Sequence, residues 1–207
     1  MSAVAVLDFD GTLYKKNSFP LWVMYCLRRA LRELRLPLLL RLMSYLFLRK
    51  FFFLYGHNEF KEKINNIKYP QCWAKDFCSG LVVDYNEIVL SELRMLSCSC
   101  IMISTAAPEC YARCIIPVDG FLLNYIICSE NKDGVFMDNS GQKKMERTIA
   151  YIDEIGLSQS PLIFFTDNFI DSPLARISSR VFLCEPNDKD INRYRSEGIE
   201  FTVLRGG

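Results

Sequence analysis

The sequence contains few of the residues that commonly build metal sites. Only one of its 207 residues, His57, is a histidine. Its nine cysteines are odd in number and irregularly spaced, and no C-x-x-C pair occurs among them. This pattern disfavours a structural zinc site. We predict that the cysteines are reduced and mostly buried, as in a cytosolic protein.

The sequence also lacks a long uncharged apolar run, a low-complexity tract and a signal-peptide pattern. The chain enters a strand-like run at Val4 without a charged leader. Arg41, Arg49 and Lys50 interrupt the apolar stretch "LPLLLRLMSYLFLRKFFFLYG". No window therefore reaches the roughly 20 uncharged residues of a transmembrane helix. We predict a cytoplasmic protein.

Short apolar runs rich in β-branched and aromatic residues alternate with stretches of helical spacing. The runs are Ala3–Phe9, Cys100–Ser104, Leu122–Cys128, Pro161–Thr166 and Arg180–Cys184. Such alternation predicts an α/β fold, a Rossmann-like parallel sheet covered by helices on both faces. Residues 130–141 contain Asp133-Gly134 and predict a turn or hairpin.

Residues 15–90 break this alternation, because they lack strand-like patterns and are dense in Leu, Phe and Arg. We predict that they form an inserted helical cap, while residues 1–14 and 91–207 form the Rossmann-like core. The segment Lys15–Lys50 has nine Lys or Arg and one acidic residue, so its net charge is +8. Because the net charge of the whole chain is +1, the rest of the chain has a net charge of −7. Two interpretations stay open: solvated cap helices, or a cap surface that lies on an anionic membrane. We predict no nucleic-acid partner.

Polar side chains follow the predicted strands at their carboxyl ends, where open parallel sheets bind ligands. These candidates are Asp8, Asp10, Ser104, Thr105, Lys143, Lys144, Asp167 and Asp171. Carboxylates suit Mg²⁺, a hard cation that keeps several waters, whereas a hydroxyl and a lysine suit phosphoryl oxygens. A free carboxylate beside the metal can attack phosphorus. The set predicts a phosphoryl-transfer site.

Four motifs in chain order resemble the haloacid dehalogenase superfamily, in its phosphoserine-phosphatase-like branch. They are "DFDGTLY", "MISTAAPE", "SGQKKMERT" and "FFTDNFIDSPL". The stretch "LCEPNDKDINRYRSEGIEF" resembles the ending of that branch. The resemblance covers about two-thirds of the chain, and it is specific because the motifs must occur together and in order.

The resemblance implies a role for each aspartate of these motifs. Asp8 would be the nucleophile and Asp10 the general acid and base. Asp167 would ligate Mg²⁺ together with Asp8 and the backbone carbonyl of Asp10. Asp171 would orient Asp167, the lysine or a metal-bound water. Thr166 departs from many relatives, which have glycine there, but this change removes no required functional group.

Two choices between neighbouring residues stay open. Thr105 would bind the phosphoryl group, with Ser104 as the alternative, although a lone Thr is more often a helix N-cap. Lys144 would stabilise the phosphoryl charge and the aspartate, with Lys143 as the alternative. We interpret His57 as a loop or cap residue.

The resemblance implies a Mg²⁺-dependent phosphatase that hydrolyses a phosphate monoester through an aspartyl-phosphate intermediate. Two cap stretches, "DFDGTLYKKNSFPLWVMYCLRRAL" and "GHNEF", are similar to bacterial phosphatidylglycerophosphate phosphatases. They imply a lipid phosphate such as phosphatidylglycerophosphate as substrate, and peripheral contact with an anionic membrane. A soluble phosphoserine-like metabolite phosphatase, a phosphotransferase and a non-catalytic binding protein remain alternatives.

Overall fold

The computed structural model describes residues 3–115 and 123–206. Its strands are β1 (Ala3–Leu7), β2 (Cys98–Pro108), β3 (Leu123–Lys132), β4 (Val135–Met137), β5 (Leu162–Thr166), β6 (Arg180–Cys184) and β7 (Thr202–Leu204). They form one seven-stranded sheet in the order β4-β3-β2-β1-β5-β6-β7. Neighbouring strands are parallel, except that β4 runs antiparallel to β3. β1 therefore lies at the centre of the sheet.

Helices follow or precede most of these strands. They are α1 (Ser18–Arg32), α2 (Leu36–Phe52), α3 (His57–Asn65), α4 (Gln71–Leu81), α5 (Glu87–Met95), α6 (Glu109–Ala112), α7 (Gly141–Glu154), α8 (Ser172–Ile177) and α9 (Asp188–Ser196). Asparagine caps begin three of them, because the side-chain oxygens of Asn17, Asn86 and Asn187 accept backbone N–H bonds at the starts of α1, α5 and α9.

Alternate residues of β1 pack in different layers, since successive side chains of a strand point to opposite faces. Val4 and Val6 join a cluster with Ile152 of α7 and residues of α8 and α9. Ala5 and Leu7 join a second cluster with residues of α1, α3, α4 and α5. Helices therefore cover both faces of a mostly parallel sheet, and the predicted fold class is confirmed.

The observed elements differ from the predicted ones mainly at their ends. β2 continues to Pro108 rather than ending at Ser104. β7, of three residues, was not predicted, whereas β4 is the short second strand of the hairpin predicted within residues 130–141. Asp133 and Gly134 join β3 to β4 with φ angles of 51° and 79°, as a two-residue hairpin with left-handed central residues requires. The predicted run beginning at Leu122 starts outside the described residues, as do residues 1, 2 and 207 of the predicted core.

The segment 15–90 contains α1 to α4 and the start of α5, and no strand lies in it. The predicted boundary at residue 90 falls inside α5, whose Val89, Leu90 and Leu93 are buried. The division into core and cap stays a prediction. Within residues 3–115 and 123–206, no helix combines the length and the hydrophobicity needed to cross a bilayer.

The nine cysteines all lie among the described residues, and none of them forms a disulfide. Five are buried, three are half-buried, and Cys72 on α4 is exposed. Burial raises the pKa of the Cys78 and Cys128 thiols to about 12, so these thiols stay protonated and unreactive at neutral pH.

Candidate active site

A cavity of about 320 Å³ lies where β1, β2 and β5 end. It is lined on the sheet side by Asp8, Asp10, Thr105 and Asp167. Residues of α1 and α3, among them Phe19, His57 and Lys61, line the opposite side. The sheet edge therefore brings four of the predicted site residues to one cavity, and the segment 15–90 covers it.

Asp8 leaves the sheet immediately after the apolar run of β1. Its backbone N–H donates to the carbonyl of Phe165 at 2.9 Å, which continues the pairing with β5. Its Oδ1 accepts the N–H of Phe9 at 2.7 Å, and its Oδ2 lies 3.0 Å from Lys144 Nζ. Burial raises the pKa of Asp8; Lys144 lowers it, and the carboxylates of Asp171 and Asp167 raise it further.

Lys144 is the lysine that reaches this aspartate. It is buried on α7, and its ammonium contacts both Asp8 and Asp171. Burial opposes its charge, but the carboxylates of Asp171 and Asp8 outweigh burial and raise the pKa of Lys144. Asp171 Oδ1 also accepts the N–H of Gly141 at 3.1 Å, so it holds the start of α7 as well. Lys143 is exposed on the same helix.

Asp10 has a different environment although it lies only two residues further on. It is half-buried, and its Oδ1 accepts the N–H of Ser18 at 2.9 Å. Ser18 is the first residue of α1, where backbone N–H groups lack partners within the helix. Burial raises the pKa of Asp10 to about 6, while the bonds from Ser18 lower it. This carboxyl can therefore exchange a proton near neutral pH.

Thr105 lines the cavity, whereas Ser104 faces the interior of the core. The Ser104 Oγ lies 2.8 Å from Thr148 Oγ1 and accepts the amide of Asn139 at 3.0 Å. The Thr105 Oγ1 accepts the N–H of Ala107 at 3.1 Å, which leaves its own hydrogen available to a ligand. Thr105 lies within β2 and not at a helix start, so the N-cap interpretation is wrong.

Asp167 approaches the loop after β1 closely at Gly11. Burial raises the pKa of Asp167 to about 6. Gly11 has a φ of +78°, and a Cβ at this position would lie 2.2 Å from Asp167 Oδ2. Only glycine therefore allows the loop that carries Asp10 to meet the Asp167 carboxylate.

The oxygens at this edge suit a hard cation. Asp8 and Asp167 line one cavity, and each carries a pKa raised by burial, so a bound divalent cation would favour their ionised forms. No group of three or more His, Cys, Asp or Glu side chains fit to hold a metal occurs in the described ranges. Two carboxylates and a backbone carbonyl are enough for Mg²⁺, which keeps several waters.

One further ion pair at the cavity was not predicted. Lys61 of α3 is buried, and its Nζ lies 2.5 Å from Asp138 Oδ1 in the loop before α7. Lys61 lies in a helix rich in charged residues, so its sequence neighbours do not distinguish it from an ordinary surface lysine. His57 begins α3 and lines the cavity; burial and the charges of Lys61 and Arg49 lower its pKa.

Several solved structures share this architecture. The chain is similar to a protein of unknown function from Bordetella pertussis Tohama I, with 15% identity, a TM-score of 0.76 and 99% of both chains covered. A phosphoserine phosphohydrolase-like protein from Francisella tularensis subsp. tularensis SCHU S4 is 18% identical, with a TM-score of 0.54, over 100% of this chain and 96% of that one. A HAD family hydrolase from Salmonella enterica subsp. enterica serovar Typhi is 12% identical, with a TM-score of 0.56, over 93% of this chain and 66% of that one.

No protein-family model matches the sequence, and no curated protein matches it either. At such low identities the structural likeness establishes the fold alone. The chain has a haloacid-dehalogenase fold of the phosphoserine-phosphatase-like kind, which confirms the fold resemblance drawn from the motifs.

Replacing Gly11 by alanine should disturb the site more than the fold. The new methyl group would displace the Asp167 carboxylate, so we expect the dissociation constant for added Mg²⁺, measured by titration calorimetry, to rise by about 10- to 100-fold. Gly134→Ala is the matched control, because Gly134 has a φ of +79° and nothing within 4 Å of a Cβ. Both variants should lose about 1–2 kcal/mol of unfolding free energy, measured by denaturant titration. Equal Mg²⁺ affinities of the two variants would contradict the close approach of Gly11 to Asp167.

Proposed function

We propose that this haloacid-dehalogenase fold carries a Mg²⁺-dependent phosphatase that hydrolyses a phosphate monoester through an aspartyl-phosphate intermediate. The contact between Lys144 and Asp8 at the cavity is the observation that carries the proposal. It holds a carboxylate and an ammonium together at the sheet edge, next to a second carboxyl, Asp10, that has its own hydrogen-bond donor. Two like carboxyls in different environments can act as nucleophile and as acid.

In the first step, a carboxylate oxygen of Asp8 attacks phosphorus and forms an O–P bond, while the ester P–O bond breaks. Asp10 gives its proton to the leaving alkoxide, which a carboxyl with a pKa of about 6 can do near neutral pH. The Lys144 ammonium stabilises the negative charge on Asp8 and on the phosphoryl group. The Thr105 hydroxyl donates its free hydrogen to a phosphoryl oxygen.

In the second step, Asp10 removes a proton from water, and the water oxygen attacks the aspartyl phosphate. The bond between Asp8 and phosphorus breaks, which releases inorganic phosphate and restores the Asp8 carboxylate. Asp171 takes no part in bond making. It positions Lys144 through the buried ion pair and holds the start of α7 through Gly141.

Asp8, Asp167 and the backbone carbonyl of Asp10 would hold the Mg²⁺ ion. When bound, this ion neutralises negative charge on the phosphoryl oxygens. The donor set is all oxygen, as Mg²⁺ prefers.

For the substrate we propose a lipid phosphate such as phosphatidylglycerophosphate. Lys15, Lys16 and Lys61 line the cavity; Lys16 and Lys61 pair with Asp84 and Asp138, and Lys15 forms no ion pair among the described residues, so it favours an anionic substrate. The basic helix α2 also reaches the cavity rim, because Arg49 Nη2 lies 3.5 Å from His57 Nδ1. A soluble phosphoserine-like ester is the alternative substrate. A phosphotransferase would share the first step and differ only in the acceptor of the phosphoryl group. A non-catalytic binding protein would not need the contact between Asp8 and Lys144 at the cavity.

Replacing Asp8 by asparagine removes the attacking oxygen and keeps the size of the side chain. We expect activity against a soluble phosphate ester to fall by several orders of magnitude, measured as release of inorganic phosphate. Asp190→Asn is the matched control, because Asp190 is also buried but bonds to Asn187 at the start of α9. Thermal melting should show both variants folded. Full turnover by Asp8→Asn would rule out the covalent mechanism.

Removing the metal should stop the reaction without unfolding the protein. We expect a chelator to abolish activity, and excess Mg²⁺ to restore it. Ca²⁺ should not restore it, because the larger ion draws carboxylates into bidentate ligation and spoils the approach of Asp8 to phosphorus. Circular dichroism before and after chelation provides the control for folding. Activity that persists under chelation would contradict the proposed requirement for Mg²⁺.

A panel of phosphate esters tests the substrate class. We expect detergent-dispersed lipid phosphates to be hydrolysed with a higher kcat/KM than phosphoserine, with the Asp8→Asn variant as the blank. A preference for phosphoserine would favour the soluble alternative. Adding an acceptor alcohol separates the two reaction types, since a phosphotransferase would form a new ester at the expense of inorganic phosphate.

A further inference from the structure

Helix α2 is unusually apolar for a helix at the protein surface. Among its 17 residues, Leu42 is the one that is buried. Leu38, Leu39, Tyr45 and Leu46 are partly buried against the core cluster, and together with Leu42 they form the inward face. A helix that is apolar all round normally lies in a core or in a membrane. The outward face of α2 therefore needs an explanation.

The outward face is one continuous stripe, because its residues recur at helical spacing. The stripe consists of Leu36, Leu40, Met43, Phe47 and Phe51, which are between 52% and 66% exposed. The chain beyond the helix extends this surface with Phe53, which is 85% exposed, and Leu54. Contiguous exposed apolar surface of this kind marks an interaction site rather than ordinary surface scatter.

Cations border the stripe without carboxylates to neutralise them. No Asp or Glu occurs between Leu34 and Asn58. Within the ranges that the structure describes, no carboxylate forms an ion pair with Arg41 or Lys50, the exposed cations of α2. Lys50 lies next to the stripe, with its Nζ 5.9 Å from the ring centre of Phe51. The face combines exposed apolar side chains with uncompensated positive charge.

We propose that this face of α2 docks on the surface of an anionic lipid bilayer. Charge complementarity selects this occupant, because lipid phosphates supply the anions that the bordering cations lack, and the apolar stripe enters the acyl boundary. A second copy of the chain would bring like charges together. Each Lys or Arg near the surface strengthens binding by roughly fivefold at low salt.

Arg49 lies on the side of α2 away from the stripe, over the ring of the buried Phe60, and contacts His57, which lines the cavity. Helix α2 therefore carries the docking face on one side and contacts the cavity wall on the other. The docking itself does not depend on the phosphatase proposal, whereas capture of a lipid phosphate from the bilayer rests on it.

Vesicle co-sedimentation of the full chain tests the docking. We expect binding to phosphatidylcholine vesicles that contain phosphatidylglycerol, weaker binding to phosphatidylcholine alone, and a decrease as salt rises. The double variant Phe47→Ser with Phe51→Ser should lower the partition coefficient by roughly tenfold for each phenylalanine. Arg41→Gln with Lys50→Gln should weaken binding to the anionic vesicles and reduce its salt dependence.

The matched control is Val83→Ser with Met95→Ser, since these exposed apolar residues lie on other elements, and it should bind like the wild type. Circular dichroism checks that each variant is folded. Asp8→Asn should also bind like the wild type, so a failed phosphatase assay leaves this test intact. Equal binding to both vesicle types, no binding, or unchanged binding of the phenylalanine variant would overturn the inference. So would a concentration-dependent dimer that the phenylalanine variant abolishes.

Discussion

The buried contact of Lys144 with Asp8 and Asp171 is the interaction on which the site depends. One ammonium serves two carboxylates, and all three groups are removed from solvent. Removing one partner of such a cluster leaves an uncompensated buried charge, which is far more costly than loss of a surface pair. The three residues come from the end of β1, the start of α7 and the turn after β5. The cluster thus fixes three separate chain segments relative to one another at the edge of the cavity.

The motifs allowed the sheet edge and its aspartates to be predicted, because buried strands and the polar residues that end them are local features of sequence. The local sequence could not decide whether Ser104 or Thr105 faces the cavity. Both are small hydroxyl residues, and the direction of each side chain in β2 separates the one facing Thr148 from the one facing the cavity. Lys143 and Lys144 differ in the same way by their position around α7.

Other features had no usable signature in the sequence. β7 has three residues, too few to show a strand period. The pair of Lys61 with Asp138 joins residues 77 positions apart, so only the folded chain brings it together. The basic, apolar character of residues 15–50 was visible in composition, but the outward stripe of α2 required knowledge of which helix face packs on the core.

The hydrogen bond from Ser18 to Asp10 has a consequence for the whole segment that covers the cavity. Ser18 is the first residue of α1, and its bonds lower the pKa of Asp10 against the effect of burial. A displacement of α1 would remove this donor and would also expose the carboxyl to solvent, and these two changes shift its pKa in opposite directions. The protonation of Asp10 is therefore linked to the position of the first helix of this segment.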